Sequence, residues 1–117
     1  MSAPNIVNVA TITGKTAVQA VGTSATAIVT NSAGSGKVFK VNALYVSNVD
    51  GSAAADITVD LYRSSTAYPI AYTIVVPADA SLDLISKALY LEEGDSLRCT
   101  ASAAGDLVAL CSYEEIS

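Results

Sequence analysis

The 117-residue chain contains no histidine, which removes Ser-His-Asp triads, imidazole acid-base work and His-ligated metals at the outset. The reactive side chains that remain are eleven carboxylates, six lysines and arginines, two cysteines and six tyrosines. Gly34-Ser35-Gly36-Lys37 has the residue types of a phosphate loop, but the GxxxxGK[ST] spacing is not met. Val38 also stands where a Mg²⁺-binding hydroxyl belongs, so the segment reads as a plain hairpin loop. Glu92, Glu93 and Asp95, with Asp79 and Asp83, are the oxygen ligands a Ca²⁺ site would draw on. None follows a cation-loop pattern, and they read as solvated turns. Glu114 and Glu115 are adjacent on an expected strand and point to opposite faces, which argues against a carboxylate dyad. Tyr45, Tyr62, Tyr68, Tyr72, Tyr90 and Tyr113 fit core edges or subunit contacts better than a sugar-stacking platform. No catalytic, cofactor-binding or metal-binding residue is assigned, and the expectation is a protein that is not an enzyme and carries no cofactor.

The elements that would position such residues follow from alternation. The last third of the chain, Tyr90 to Ser117, shows the clearest pattern: Leu97, Cys99 and Ala101 alternate with Ser96, Arg98 and Thr100. Beyond a turn near Gly105, Leu107, Ala109, Cys111 and Tyr113 alternate with Val108, Leu110 and Ser112. This predicts a hairpin with Cys99 and Cys111 on one face and roughly opposite each other. A cross-strand bridge is then conceivable, but buried free thiols suit a cytoplasmic product better.

Upstream, Ile6 to Thr13 reads as a strand, Gly14-Lys15 as a turn and Thr16 to Val21 as a weaker strand, followed by Ala25 to Thr30. These small, polar segments depend on a neighbour for order. Residues 1–13 are therefore set apart as an N-terminal arm or first strand, and residues 14–117 as the folded domain. Lys37 to Asn48, with the only Phe, predicts a central strand in which Phe39, Val41, Ala43 and Tyr45 alternate with their neighbours. After an Asp50-Gly51 turn, Ala54 to Arg63 places Ile57, Val59 and Leu61 inward and Asp56, Thr58, Asp60 and Tyr62 outward. Ile70 to Val76 follows, and Ser81 to Ile85 is either a strand or a single turn. About eight to ten short strands at this spacing imply an all-β fold. It is expected to be one antiparallel β-sandwich, jelly-roll-like, with Phe39, Val41, Ile57, Val59, Leu61, Leu97 and Leu107 in the core.

Composition bounds the partners. Charged residues are only 15% of the chain, against roughly 25% in ordinary soluble domains, so Ser, Thr, Ala and Tyr must supply much of the surface. Such a surface suits being covered. Three lysines and no acid precede Asp50, whereas three cations face eleven acids from Asp50 onward, so the halves carry +3 and −8. Copies meeting through faces of opposite sign would use that asymmetry. An acidic chain with three scattered lysines in its basic half is a poor partner for nucleic acid. No apolar run approaches a membrane span, and no signal-peptide pattern opens the sequence, so the product is expected to stay in the cytoplasm where it is made.

The segments NALYVSNVDGSAAADITVDLYR, VPADASLDLISKALYLEEGDSLR and LVALCSYEEIS resemble small virion structural proteins of tailed bacteriophages, especially those infecting cyanobacteria and other aquatic bacteria. The likeness rests on Ser47-Asn48, Pro77-Ala78, Leu82 and Leu84, Leu91 with Gly94-Asp95, and Ser112-Tyr113 with Glu115-Ile116. The resemblance implies a non-enzymatic β-sandwich that decorates or cements the capsid by binding the assembled shell, or builds part of the neck, tail or fibre. A host-surface carbohydrate-binding module is the alternative from another class. The implied partners are further copies of the chain, with a trimer favoured, and virion proteins such as the major capsid protein. The implied location is the virion.

Overall fold

The computed structural model describes residues 11–117, and every regular element in that range is a strand: β1 (Ile12–Ala20), β2 (Thr26–Thr30), β3 (Val38–Asn48), β4 (Ala55–Arg63), β5 (Thr66–Val76), β6 (Ser81–Asp83), β7 (Leu89–Leu91), β8 (Ser96–Ala101) and β9 (Leu107–Ile116). They form two antiparallel sheets. One runs β1-β9-β3, with β6 and β7 sharing the far edge of β3; the other runs β2-β8-β4-β5. The pairs β4·β5, β3·β6 and β3·β7, β2·β8, and β1·β9 nest inside one another, as if one long hairpin had been rolled into two layers. That winding is jelly-roll-like.

The two sheets press their apolar faces together. Leu44, Val46 and Val41 from β3, Ala109 and Cys111 from β9, Ile57 and Val59 from β4, and Leu97 and Cys99 from β8 are fully buried between them. The small, branched composition suits this, because side chains from facing sheets interdigitate across a gap of about 10 Å. Of the expected core, Phe39, Val41, Ile57, Val59, Leu97 and Leu107 are buried. Leu61 is only partly buried and packs at the margin.

Three sequence expectations change. The expected terminal hairpin is absent: β8 and β9 lie in different sheets, so the chain arches across the core at residues 102–106. Alternation is the same for two strands that pair and two that stack face to face, and longer ladders won, since β9 pairs along nearly its whole length with both β1 and β3. The arch is tied down by Ser102, whose hydroxyl accepts from Asp56 N (2.8 Å) and whose N–H donates to Asp56 O (3.0 Å). Second, Gly14-Lys15 is not a turn, because β1 runs through it in unbroken register with β9 and Lys15 reaches Glu115. Third, the alternation of β3 changes phase at a bulge between Val41 and Ala43. Leu44 and Val46 therefore point inward, and Tyr45 is 47% exposed.

Of the expected arm, residues 1–10 lie outside the described residues. Thr11 exchanges backbone bonds with Ser117 (both 2.9 Å), and Ile12 and Thr13 open β1. Two buried asparagines pin the loops on either side of β3. Asn31 donates to Lys37 O (2.9 Å) and Leu91 O (3.0 Å), and Asn48 donates to Ala53 O (2.9 Å) and Val76 O (3.0 Å). Each satisfies carbonyls that a loop would otherwise leave buried and unpaired.

Candidate assembly surface

Several of the side chains with chemical potential are occupied internally. In the loop 31–37, Gly36 N–H donates to Glu93 Oε2 (3.0 Å) and Lys37 Nζ to Glu115 Oε1 (3.1 Å). The donors a phosphate would need already serve carboxylates of the same chain, and a strand follows where a phosphate loop needs a helix N-terminus. Arg63 holds Asp95 through Nε–Oδ1 (2.8 Å) and Nη2–Oδ2 (2.6 Å), and it also reaches Glu92 Oε2 (2.8 Å). Burial pushes the Asp95 carboxyl up, but the Arg63 guanidinium and the Glu92 N–H outweigh it and hold the acid below its usual range. Glu115 takes Lys15 Nζ (2.6 Å) as well as Lys37, and the Lys15 bond leads in lowering its pKa. Glu114 lies on the other face of β9, as the alternation predicted. Among the described residues no three His, Cys, Asp or Glu side chains gather as a metal would need.

Cys99 and Cys111 are free and buried, entering the core from opposite sheets. Burial is the main cause that pushes Cys99 up to about 12, with Cys111 and Asp60 adding to it, and burial alone pushes Cys111 up to about 11. Neither thiol supplies thiolate near neutral pH. Asp60, expected to point into solvent, is buried because Arg98 clamps it (Nε–Oδ1 2.8 Å) while the same guanidinium lies 4.0 Å above the Tyr62 ring.

The tyrosines divide. Tyr113 stacks obliquely on Phe39 at 5.5 Å and Tyr62 lies under Arg98, but Tyr45, Tyr68, Tyr72 and Tyr90 are exposed. Two of these four lie on β5, the edge strand of its sheet, together with exposed Ile70, Ile74 and Val75. No residue of β5 is charged. A long apolar edge invites strand addition, yet this one is guarded. Pro69 has no N–H to offer, and Thr73, at φ 47° in a region of register shift, gives its N–H to Thr58 Oγ1 (3.1 Å). Ser64 and Ser65, both at positive φ (51° and 61°), turn β4 into β5 in two residues. Beside β5, the linker between β6 and β7 leaves an open groove of about 320 Å³. Ile70, Leu84, Ile85 and Leu89 form its apolar wall and Lys87 its charged rim. Sequence alternation alone did not reveal this surface, because it does not tell which strand ends at an edge; the charge-free run from Thr66 to Val76 was the available signal.

No family model matches the chain, and no curated protein matches its sequence. Solved structures do. The chain is similar to one described as "Bacillus endospore appendages form a novel family of disulfide-linked pili", at 17% identity and a TM-score of 0.53, over 92% of this chain and 88% of that one. At that identity the likeness shows the fold, a β-sandwich. Two structures of a pentameric capsid protein isolated from metagenomic phage sequences match at 20% and 17% identity with TM-scores of 0.43 and 0.39. They cover 98% of this chain in both cases, but the chain spans only 64% and 66% of theirs.

Proposed function

We propose that this protein is a non-enzymatic structural subunit that self-associates, and that it serves as a virion protein of a tailed bacteriophage, decorating or cementing the assembled shell. The observation that carries this reading is the uncharged, tyrosine-bearing edge β5, exposed beside an apolar groove. Contiguous exposed apolar surface of this kind marks a place that another macromolecule covers. The pilus likeness supports the assembly part, since there the same kind of sandwich is a polymer subunit. That polymer is described as disulfide-linked. Here both cysteines of the sequence are in the core, so neither is placed to link copies by a disulfide. The segment ahead of β1 acts as an arm to a neighbour or to the shell, while Ile12 and Thr13, paired with Ile116 and Glu115, belong with residues 14–117 in the sandwich, and a trimer is the favoured oligomer. Light scattering behind size exclusion, followed by sedimentation with preassembled shells, tests the reading. Oligomers that co-sediment with shells are expected. A chain that stays monomeric at about 100 µM and ignores shells overturns it. A neck, tail or fibre component would oligomerise without binding shells, and a glycan-binding module would show saturable glycan binding lost on Tyr68→Ala or Tyr72→Ala.

A further inference from the structure

We infer that the groove beside β5 receives the acidic end of a second copy of this chain, with Val49 as the inserted side chain and Lys87 as the charge partner. The inference rests on the self-associating reading above and names the two surfaces that would meet. One end of the sandwich gathers the loops after β3, β5 and β8. There Val49 N–H donates to Asp106 O (2.7 Å), Asp79 N–H donates to Asp50 O (3.3 Å), and Gly51 lies against the Asp79 carboxylate. Asp50, Asp79 and Asp106 thus lie on the loops that meet at this end with Val49, which is 62% exposed, and these loops contain no lysine or arginine. This is an apolar knob on an acidic end.

The groove is its complement. Ile70, Leu84, Ile85 and Leu89 offer an apolar seat of a size that takes a branched side chain with room for its flanking backbone. Lys87 on the rim makes no ion pair among the described residues, whereas Lys15, Lys37, Arg63 and Arg98 are all engaged. The guarded edge of β5 argues for the same mode of contact. With Pro69 lacking a backbone donor and the β4·β5 register broken near Thr73, a partner is held by side chains in the groove rather than by an added strand. Knob and groove are different surfaces of one chain, so the contact is heterologous. It closes into a ring, a trimer if the rotation is near 120°, or extends as a filament if it does not close.

The test uses two full-length variants, each disabling one surface. Lys87→Glu puts like charge opposite the acidic end, and Asp79→Asn with Asp106→Lys neutralises that end, the charge left on Asp50 being offset by the new lysine. Both alter exposed or half-buried positions, and circular dichroism verifies the fold. In sedimentation velocity, each variant alone is expected to self-associate at least about tenfold more weakly than the parent chain, since like-charge juxtaposition is strongly unfavourable. Mixed in equal amounts, they are expected to form discrete one-to-one dimers, because each retains the surface the other lacks. Parent association should also weaken as salt rises. If Lys87→Glu assembles as the parent does, this inference falls while self-association stands. If it loses shell binding but keeps its oligomeric state, the groove belongs to another virion protein and the inference falls as well. A parent chain that is monomeric throughout overturns both this inference and the reading beneath it.

Discussion

Strands β5 and β9 are nearly equal in length and both rich in apolar residues, yet they have opposite fates. In β9, Leu107, Ala109 and Cys111 are fully buried, and the strand is flanked by β1 on one side and β3 on the other. In β5 only Val76 is buried, and Tyr68, Tyr72, Ile74 and Val75 meet solvent. The difference lies in sheet order rather than in residue type. A strand with two neighbours spends its apolar face on the core, while an edge strand beside a short linker has nothing to spend part of its apolar surface on. What β5 exposes is therefore available for association, and what β9 buries is available only for folding.

The largest effect that sharpens this contrast is Leu107→Ala, which should destabilise the fold by about 2–5 kcal/mol because the side chain is fully enclosed. Urea unfolding measures it, and a loss below about 1 kcal/mol would mean that β9 is not a core strand. Next is the turn that launches β5. Ser64 and Ser65 sit at positive φ, where Asn and Gly are far more comfortable, so replacing the pair by Asn-Gly should stabilise the chain by about 1 kcal/mol. A thermal melt that does not rise would show that this hairpin contributes nothing to cooperative unfolding.

A smaller effect concerns the C-terminal part of β9. Glu115→Gln should cost about 0.5–1 kcal/mol, since both lysine partners are substantially exposed. Because the Glu115 pKa is lowered in the folded chain, its contribution is fully present above the ordinary value of 4.5 and is lost as pH falls through the depressed one. The parent and the variant should therefore draw together in stability as pH falls below 4.5, and a gap that stays constant as the acid limb is titrated would contradict that assignment. The smallest effect on folding is expected at Tyr72, which is 68% exposed. Tyr72→Ser should change stability by less than about 0.5 kcal/mol while weakening self-association. A large loss of stability with association unchanged would erase the distinction between the two strands.

Much of the architecture was legible from alternation and absence. Period-two patterning in Ile57 and Val59, and in Leu97 and Cys99, identified strands and their inward faces, because a strand that buries one face must alternate. The lack of histidine excluded His-dependent chemistry, and the broken spacing around Gly34 to Lys37 argued against a phosphate loop, without any coordinates. Tertiary structure alone decided which strands became neighbours. Alternation is identical for a hairpin and for an arch between sheets, so nothing local distinguishes the two for β8 and β9. Pairing with β1, β3, β2 and β4 depends on residues far away in the chain. The phase change in β3 at Asn42 was hidden for a related reason: a bulge is a property of the register between two strands, not of either one. The buried Asp60 and the charged rim of the groove at Lys87 likewise exist only where distant segments meet. Residue chemistry settles which surfaces are apolar, and the winding of the sheets settles which of them remain uncovered.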